Sequence, residues 1–249
     1  MRGPPGPTGS GGLGYSRNML DTARIRAITL DLDDTLWPIW PTMERAEQVL
    51  RGWLRPQAPA TVALLEQPER ARAVRARVVQ ARPDLAHDLS AVRREFIRAA
   101  LTEAGDDPAL TDGGFDVFFA ERQRVELYGD ALQALDYLAA RHPVVALSNG
   151  NANLGEIGIA RYFRGSISAS QFGVAKPDPR IFHAAAQHLG VEPSQVLHVG
   201  DDATLDAHGA LGAGMQAVWI NRGGADWPHG EATPHATVDS LTALCRLLD

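Results

Sequence analysis

The chain has 249 residues, 45% hydrophobic and 22% charged, with 24 Lys plus Arg against 30 Asp plus Glu and a formal net charge of −6. These proportions exclude wholesale disorder and collagen-like structure, and the acidic balance gives no electrostatic footprint for nucleic acid. A single cysteine, Cys245, forbids an intramolecular disulfide, and no apolar run reaches the roughly 18 residues of a membrane span.

Residues 1–22 are rich in Gly, Pro and Ser and lack the apolar stretch of a secretory signal. A disordered tail and a cytoplasmic location are therefore expected. Ile25–Leu30 reads as a first strand. Helical spacing at Met43, Ala46, Val49, Leu50, Trp53 and Leu54 predicts a helix over 42–55, with Thr42 as its N-cap. Helical patterns continue over 60–81, 90–104 and 112–127, with no strand signal between them. From Asp130 the pattern alternates. Helix 130–141 leads to strand 144–147, and a helical piece near 153–161 to strand 166–169. Helix 178–189 leads to strand 196–199, helix 204–212 to strand 217–220, and helix 239–248 follows. Residues 222–237 read as a loop. This order predicts an α/β fold: a Rossmann-like doubly wound parallel sheet, with the all-helical stretch inserted after the first strand.

In open parallel sheets the ligand site lies beyond the carboxyl ends of the strands. After the first strand comes Asp31-Leu32-Asp33-Asp34-Thr35, and alternation along extended backbone lets Asp31 and Asp33 point the same way. Two carboxylates on one side need a cation or a proton between them. After the second strand comes Ser148-Asn149-Gly150-Asn151, a hydroxyl on an amide-rich turn suited to an oxyanion. Lys176 follows the third strand. Gly200-Asp201-Asp202 follows the fourth, with Asp206 one helical turn on. That many carboxylates together need a hard cation, and oxygen ligands without His or Cys favour Mg2+. Of the 24 basic residues only Lys176 is lysine. One reading is that a compact ammonium is wanted where a guanidinium would not fit. The other is chance retention on the surface.

These four segments, in this order, resemble the haloacid dehalogenase (HAD) superfamily: DLDDT at 31–35, SNG at 148–150, Lys176 within GVAKPDPRIF, and GDDATLD at 200–206. The resemblance spans about residues 25–222, and the helical stretch falls where that superfamily carries a C1-type helical cap. It implies a catalytic core over 23–37 and 129–249 and a cap over 38–128. It implies Asp31 as a nucleophile forming an aspartyl-phosphate, and Asp33 as general acid and base. Ser148, the Asn149 amide and Gly150 would hold phosphate oxygens. Lys176 would neutralise the transferring group. Mg2+ would sit between the Asp31 carboxylate, the Asp33 carbonyl and Asp201. Asp206 would orient Lys176 or a water on the metal, and Asp202 would support them. The implied substrate is a small phosphate monoester. The implied assembly is a monomer or homodimer, with no nucleic-acid or membrane partner.

Asp33 separates two chemistries within that superfamily. A dehalogenase expels halide, which needs no proton, whereas a phosphate ester expels an alkoxide, which does. Asp33 therefore favours a phosphatase. A non-catalytic phospholigand-binding protein and a phosphotransferase are the alternatives. A receiver domain is excluded by length and by the helical insertion. The segment DLDDTLWPIWPTMERAE resembles a subgroup associated with FMN and the phosphorylated ribityl-aminouracil intermediate of riboflavin synthesis. Trp37 and Trp40 are the candidate substrate contacts. Either they stack on a flat ring or they pack cap against core. His198, within an apolar strand, is expected to be a hydrogen-bonded core residue.

Overall fold

The computed structural model describes residues 19–249, so most of the expected tail lies outside the described residues. Short runs of three to five residues form β1 (Ala27–Leu30), β2 (Val144–Ser148), β3 (Gly165–Ser168), β4 (Val196–Gly200), β5 (Gln216–Ile220) and β6 (Ala236–Val238). Every pairing is parallel, in the order β3-β2-β1-β4-β5-β6. The four inner strands are buried at every residue. That is why they read as continuous apolar runs: a parallel sheet is covered on both faces. β6 lies in the segment read as a loop. Three residues carry too little pattern to register, and the strand forms because β5 offers it a ladder from Val218 to Ile220.

Helices cover both faces. α6 (Ala131–Arg141) and α9 (Leu241–Leu248) bury Leu135, Leu138, Leu241 and Leu244 against one side of the sheet. On the other side, α7 (Pro179–Leu189) and α8 (Gly209–Gly212) bury Phe182, Ala185 and Ala210. Residues 19–22 are not a free tail. Leu20 packs on the core, and the Asp21 backbone exchanges two hydrogen bonds with the Gln216 side chain, at 2.7 and 3.0 Å.

Between β1 and α6 the chain forms five helices: α1 (Ile39–Leu54), α2 (Pro59–Leu65), α3 (Pro68–Ala81), α4 (Leu89–Ala104) and α5 (Thr111–Arg122). They share a separate core that includes Leu50, Leu54, Phe96, Ile97, Phe115 and Phe118. α1 begins three residues earlier than its spacing predicts, and Thr42 is buried rather than capping. The first free N–H is taken by Asp34, whose φ of 60° turns its carboxylate to within 2.9 Å of the Ile39 nitrogen. Asp is among the few side-chain-bearing residues that tolerate this region. Pro68 divides the predicted 60–81 helix, since proline fits a first turn but breaks an interior. α5 stops at Arg122 instead of 127. Val125, Leu127 and Tyr128 return along the sheet's core, and the Tyr128 N–H meets the Leu36 carbonyl at 2.9 Å. No helix among the described residues is long and apolar enough to cross a membrane.

Candidate active site

Strand register assembles the site. Leu30 pairs with Ala146 on one side and with Val199 on the other. Asp31, Ser148 and Asp201 therefore emerge together at the carboxyl edge, and the Asp31 N–H still donates to the Val199 carbonyl at 2.9 Å.

Lys176 is 4% exposed and lies between two buried carboxylates. Its Nζ is 2.6 Å from Asp31 Oδ1 and 2.5 Å from Asp206 Oδ1. Burial opposes its charge, but Asp206 and Asp31 outweigh that and hold the ammonium above its ordinary pKa. Burial raises the Asp31 pKa well above the usual carboxylate value, and Lys176 opposes the rise. Asp206 resists its own burial through Lys176 and His198 and stays below that value. Asp206 can only accept, so the ring proton of His198 belongs on Nε2, 3.2 Å away. Nδ1 then accepts from the Thr29 hydroxyl at 2.9 Å. Burial keeps His198 neutral by lowering its pKa. Gly200 makes room for this arrangement: a Cβ there would lie 2.3 Å from the Asp206 carboxyl carbon.

Asp31, Asp201 and Asp206 bring one oxygen each to within 4.8 Å of one another. Thr35, 3.0 Å from Asp201 and 3.4 Å from Asp31, bridges the first two. Burial, and then Asp206, push the Asp201 carboxyl up to about 7. The Trp219 indole N–H fixes the Asp201 carbonyl at 2.7 Å. An all-oxygen set of three carboxylates suits a hard divalent cation. Asp206 is engaged by Lys176, His198 and the Asp202 N–H, which leaves Asp31 and Asp201 as the open pair. Asp202 caps the turn of π-helix at Ala203–His208, accepting from Thr204 and Leu205.

Ser148 is buried, and its Oγ accepts from the Gly150 N–H at 2.9 Å, leaving its own proton to donate. The Asn149 side chain is committed elsewhere: it takes the Lys176 N–H at 2.8 Å and donates to the Lys176 carbonyl at 3.0 Å. It thereby sets the lysine's backbone rather than facing a substrate. Gly150 admits Asp33, whose Oδ2 would be 2.4 Å from a Cβ at that position.

Asp33 is held by two side chains. The Trp37 indole N–H donates to Oδ1 at 2.9 Å, and Arg122 Nη2 reaches both oxygens at 2.7 Å. Of the two readings of Trp37 this leaves packing and corrects its assignment as a substrate contact: it is fully buried in the sheet's core and cannot stack on a substrate. Trp40 is 71% exposed and borders a cavity of about 270 Å3 between the helical insertion and the core. Ile39, Met43, Leu89, Val92, Phe96 and Phe118 give that cavity an apolar wall. A second, acidic chamber of about 200 Å3 contains Asp31, Ser148, Lys176 and Asp201. Asp33, Leu89 and Gly150 line both chambers and so mark where they join.

Sequence reasoning missed Thr35, Trp219 and Arg122. Arg122 left one signal. It lies seven residues after Phe115 and four after Phe118, on the buried face of α5, where an arginine has no reason to be unless it is paired.

A family model described as haloacid dehalogenase-like hydrolase matches residues 25–214. A protein of Escherichia coli (strain K12) named 5-amino-6-(5-phospho-D-ribitylamino)uracil phosphatase YigB is 33% identical over 233 residues, 90% of this chain and 97% of its own. A glyceraldehyde 3-phosphate phosphatase of Methanopyrus kandleri is 29% identical, over 80% of this chain and 85% of its own. Among solved structures, a 2-haloacid dehalogenase from Pseudomonas syringae pv. Tomato DC3000 superposes with a TM-score of 0.82 at 35% identity. That alignment covers 90% of this chain and 98% of the other.

Proposed function

The chain belongs to the haloacid dehalogenase-like hydrolases, and we propose that it is a phosphatase that cleaves a small phosphate monoester through a covalent intermediate on Asp31. One observation carries this reading over dehalogenation. Asp33 stands at the junction of the acidic and apolar chambers, where the bond to the leaving group would be broken. A phosphoryl group in the acidic chamber leaves its alcohol in the apolar one, with Asp33 between them.

In the first step an Asp31 oxygen attacks phosphorus, the ester oxygen departs with the bonding pair, and Asp33, entering as the carboxylic acid, gives it a proton and becomes the carboxylate that Trp37 and Arg122 hold. In the second, Asp33 takes a proton from water, the water oxygen attacks the same phosphorus, and Asp31 leaves as carboxylate. Lys176 offsets charge on Asp31 and on the phosphoryl oxygens throughout, and Ser148 donates to one of those oxygens. Asp206 and His198 keep Lys176 charged and aimed, as the 2.5 Å contact to Asp206 indicates. Asp31 and Asp201, with the Asp33 carbonyl, are the residues that would hold Mg2+, which supplies further charge neutralisation. The work is chiefly positioning and electrostatics.

For the leaving group we propose a ring-bearing alcohol, as in FMN or a phosphorylated ribityl-aminouracil. The phosphate ester in the name of the Escherichia coli relative supports this, as does the apolar wall of the 270 Å3 chamber. A glycolate-sized alcohol would leave that wall uncovered.

The test is phosphate release from a panel of esters, with Mg2+ and with excess chelator. FMN, phosphoglycolate, sugar phosphates and nucleoside monophosphates are included, and a 2-haloacid is the control. Mg2+-dependent phosphate release is expected, ring-bearing esters first. Halide release without phosphate release would establish a dehalogenase. Binding of esters without turnover would establish a non-catalytic phospholigand protein.

A further inference from the structure

Arg122 is the last residue of α5 and only 2% exposed, yet its guanidinium reaches out of the helical insertion to two loops of the core. Nη2 meets both oxygens of Asp33 at 2.7 Å, and Nε meets Asn151 Oδ1 at 2.8 Å. The third nitrogen, Nη1, is buried and has no partner. A guanidinium is a rigid planar fork, so its free corner is aimed by the two that are held. Asp33, Asn151 and Arg122 itself all border the apolar chamber. A buried donor left without an acceptor is costly in a folded protein, and such atoms cluster where a ligand is to supply the partner. Two other arginines line the wall: Arg75 is exposed, so water satisfies its donors. Arg93 is already paired with Glu47 at 2.5 Å and lies over the Phe118 ring at 4.2 Å.

We propose that Arg122 determines specificity: Nη2 positions Asp33, while Nη1 binds an acceptor oxygen on the leaving group, close to the ester carbon. The ligand class follows. It is a phosphate monoester with an apolar body and an oxygen, hydroxyl or carbonyl, on the carbon next to the ester carbon. A bare alkyl ester satisfies the wall but not Nη1. A small polar ester satisfies Nη1 but not the wall. This inference rests on the phosphatase reading.

The experiment compares 3-phenylpropyl phosphate with 2-hydroxy-3-phenylpropyl phosphate, which differ by that one oxygen. p-Nitrophenyl phosphate, whose leaving group needs little protonation, is the reference. Phosphate release is followed with Mg2+ for the parent enzyme, Arg122→Gln and Arg122→Lys. The lysine variant keeps a cation should the glutamine variant fail to fold. The parent should favour the hydroxylated ester in kcat/KM by roughly tenfold to a hundredfold, the worth of one hydrogen bond to a charged donor. Both variants should lose that preference. Because Arg122 also positions the acid, both phenylpropyl esters should fall further than p-nitrophenyl phosphate, a pattern that general loosening would not give. A parent that does not distinguish the pair, or a folded variant that still does, overturns the inference. A uniform fall across all three esters overturns the positioning half. No phosphate release by the parent from any ester, p-nitrophenyl phosphate included, overturns the phosphatase reading itself.

Discussion

If Asp201 holds Mg2+ as proposed, binding should be pH-dependent, and the carboxyl's raised pKa gives the rough size of the effect. Its carboxyl is pushed up to about 7 by burial and by Asp206, against an ordinary value of 3.8. A cation needs the ionised form, so proton and metal compete for the same oxygens. With a pKa of about 7, roughly one-eleventh of the site is ready at pH 6 and most of it at pH 8, a tenfold difference in apparent affinity worth about 1.4 kcal/mol. Burial raises Asp31 as well, which steepens the dependence further. An ordinary carboxylate would give no change across this range. Calorimetric titration with Mg2+ from pH 5.5 to 8.5 measures it, and repetition in buffers of different ionisation enthalpy counts the protons released. Asp201 alone should release about one proton at pH 6 and almost none at pH 8.5. The same shift fixes a sign for stability. A raised carboxyl contributes stability that is present below its unfolded pKa and lost as pH rises through 7. The Mg2+-induced rise in Tm should therefore grow between pH 5.5 and 8. His198, with its lowered pKa, adds a slope of opposite sign below about 6.5, but it cancels in the difference between Mg2+ and chelator. An Mg2+ affinity unchanged between pH 6 and 8 would refute the reasoning.

Other outcomes follow from the proposed chemistry. Asp31→Asn should lower turnover to below roughly one-thousandth while the far-ultraviolet spectrum is kept, because an amide cannot form the acyl-phosphate; activity near the parent level would remove Asp31 as nucleophile. Lys176→Arg should cost roughly a hundredfold or more in kcat, since the guanidinium must occupy a space bounded by Asp31 at 2.6 Å and Asp206 at 2.5 Å. A variant within a few fold of the parent would mean that charge alone suffices. Trp37→Phe removes the N–H that holds Asp33 at 2.9 Å, a hydrogen bond to a charged group worth about 1.5–3 kcal/mol. It should lower kcat/KM for alkyl esters roughly tenfold and leave the KM for ring-bearing and sugar esters changed alike; a selective loss for ring-bearing esters would return Trp37 to the substrate.

What the sequence reveals and what it hides have physical reasons. Asp31, Ser148 and Asp201 are legible because each ends or follows a run buried on both faces, and parallel strands must deliver such residues to one edge. Lys176 stands out because every other basic residue is arginine. Arg122 is hidden by the converse, since one arginine among many carries no mark beyond its helical phase. Trp37 was placed near the site, but its direction depends on the bridge that pairs it with Asp33 and turns its ring into the core. Asp202 reads either as one more acid of the site or as a cap, and the backbone shows the cap. The site's chemistry is local to strand ends, whereas its supports come from distant segments that spacing does not link.

The contact between the Tyr128 N–H and the Leu36 carbonyl gives the helical insertion a single doorway: the chain leaves the sheet and re-enters it at one point. Such a segment can be exchanged between relatives, or excised and closed with a short turn, without shifting a strand. Inheritance of the acidic chamber and of the apolar chamber is to that extent separable, since Phe96 and Phe118 travel with the insert while Asp31 and Lys176 stay behind. Arg122 also travels, although the carboxylate it grips does not. A graft that brought a new wall but no cation for Asp33 would keep the nucleophile and misplace the proton, so transplanted specificity should come with a weakened reaction until that one residue is restored.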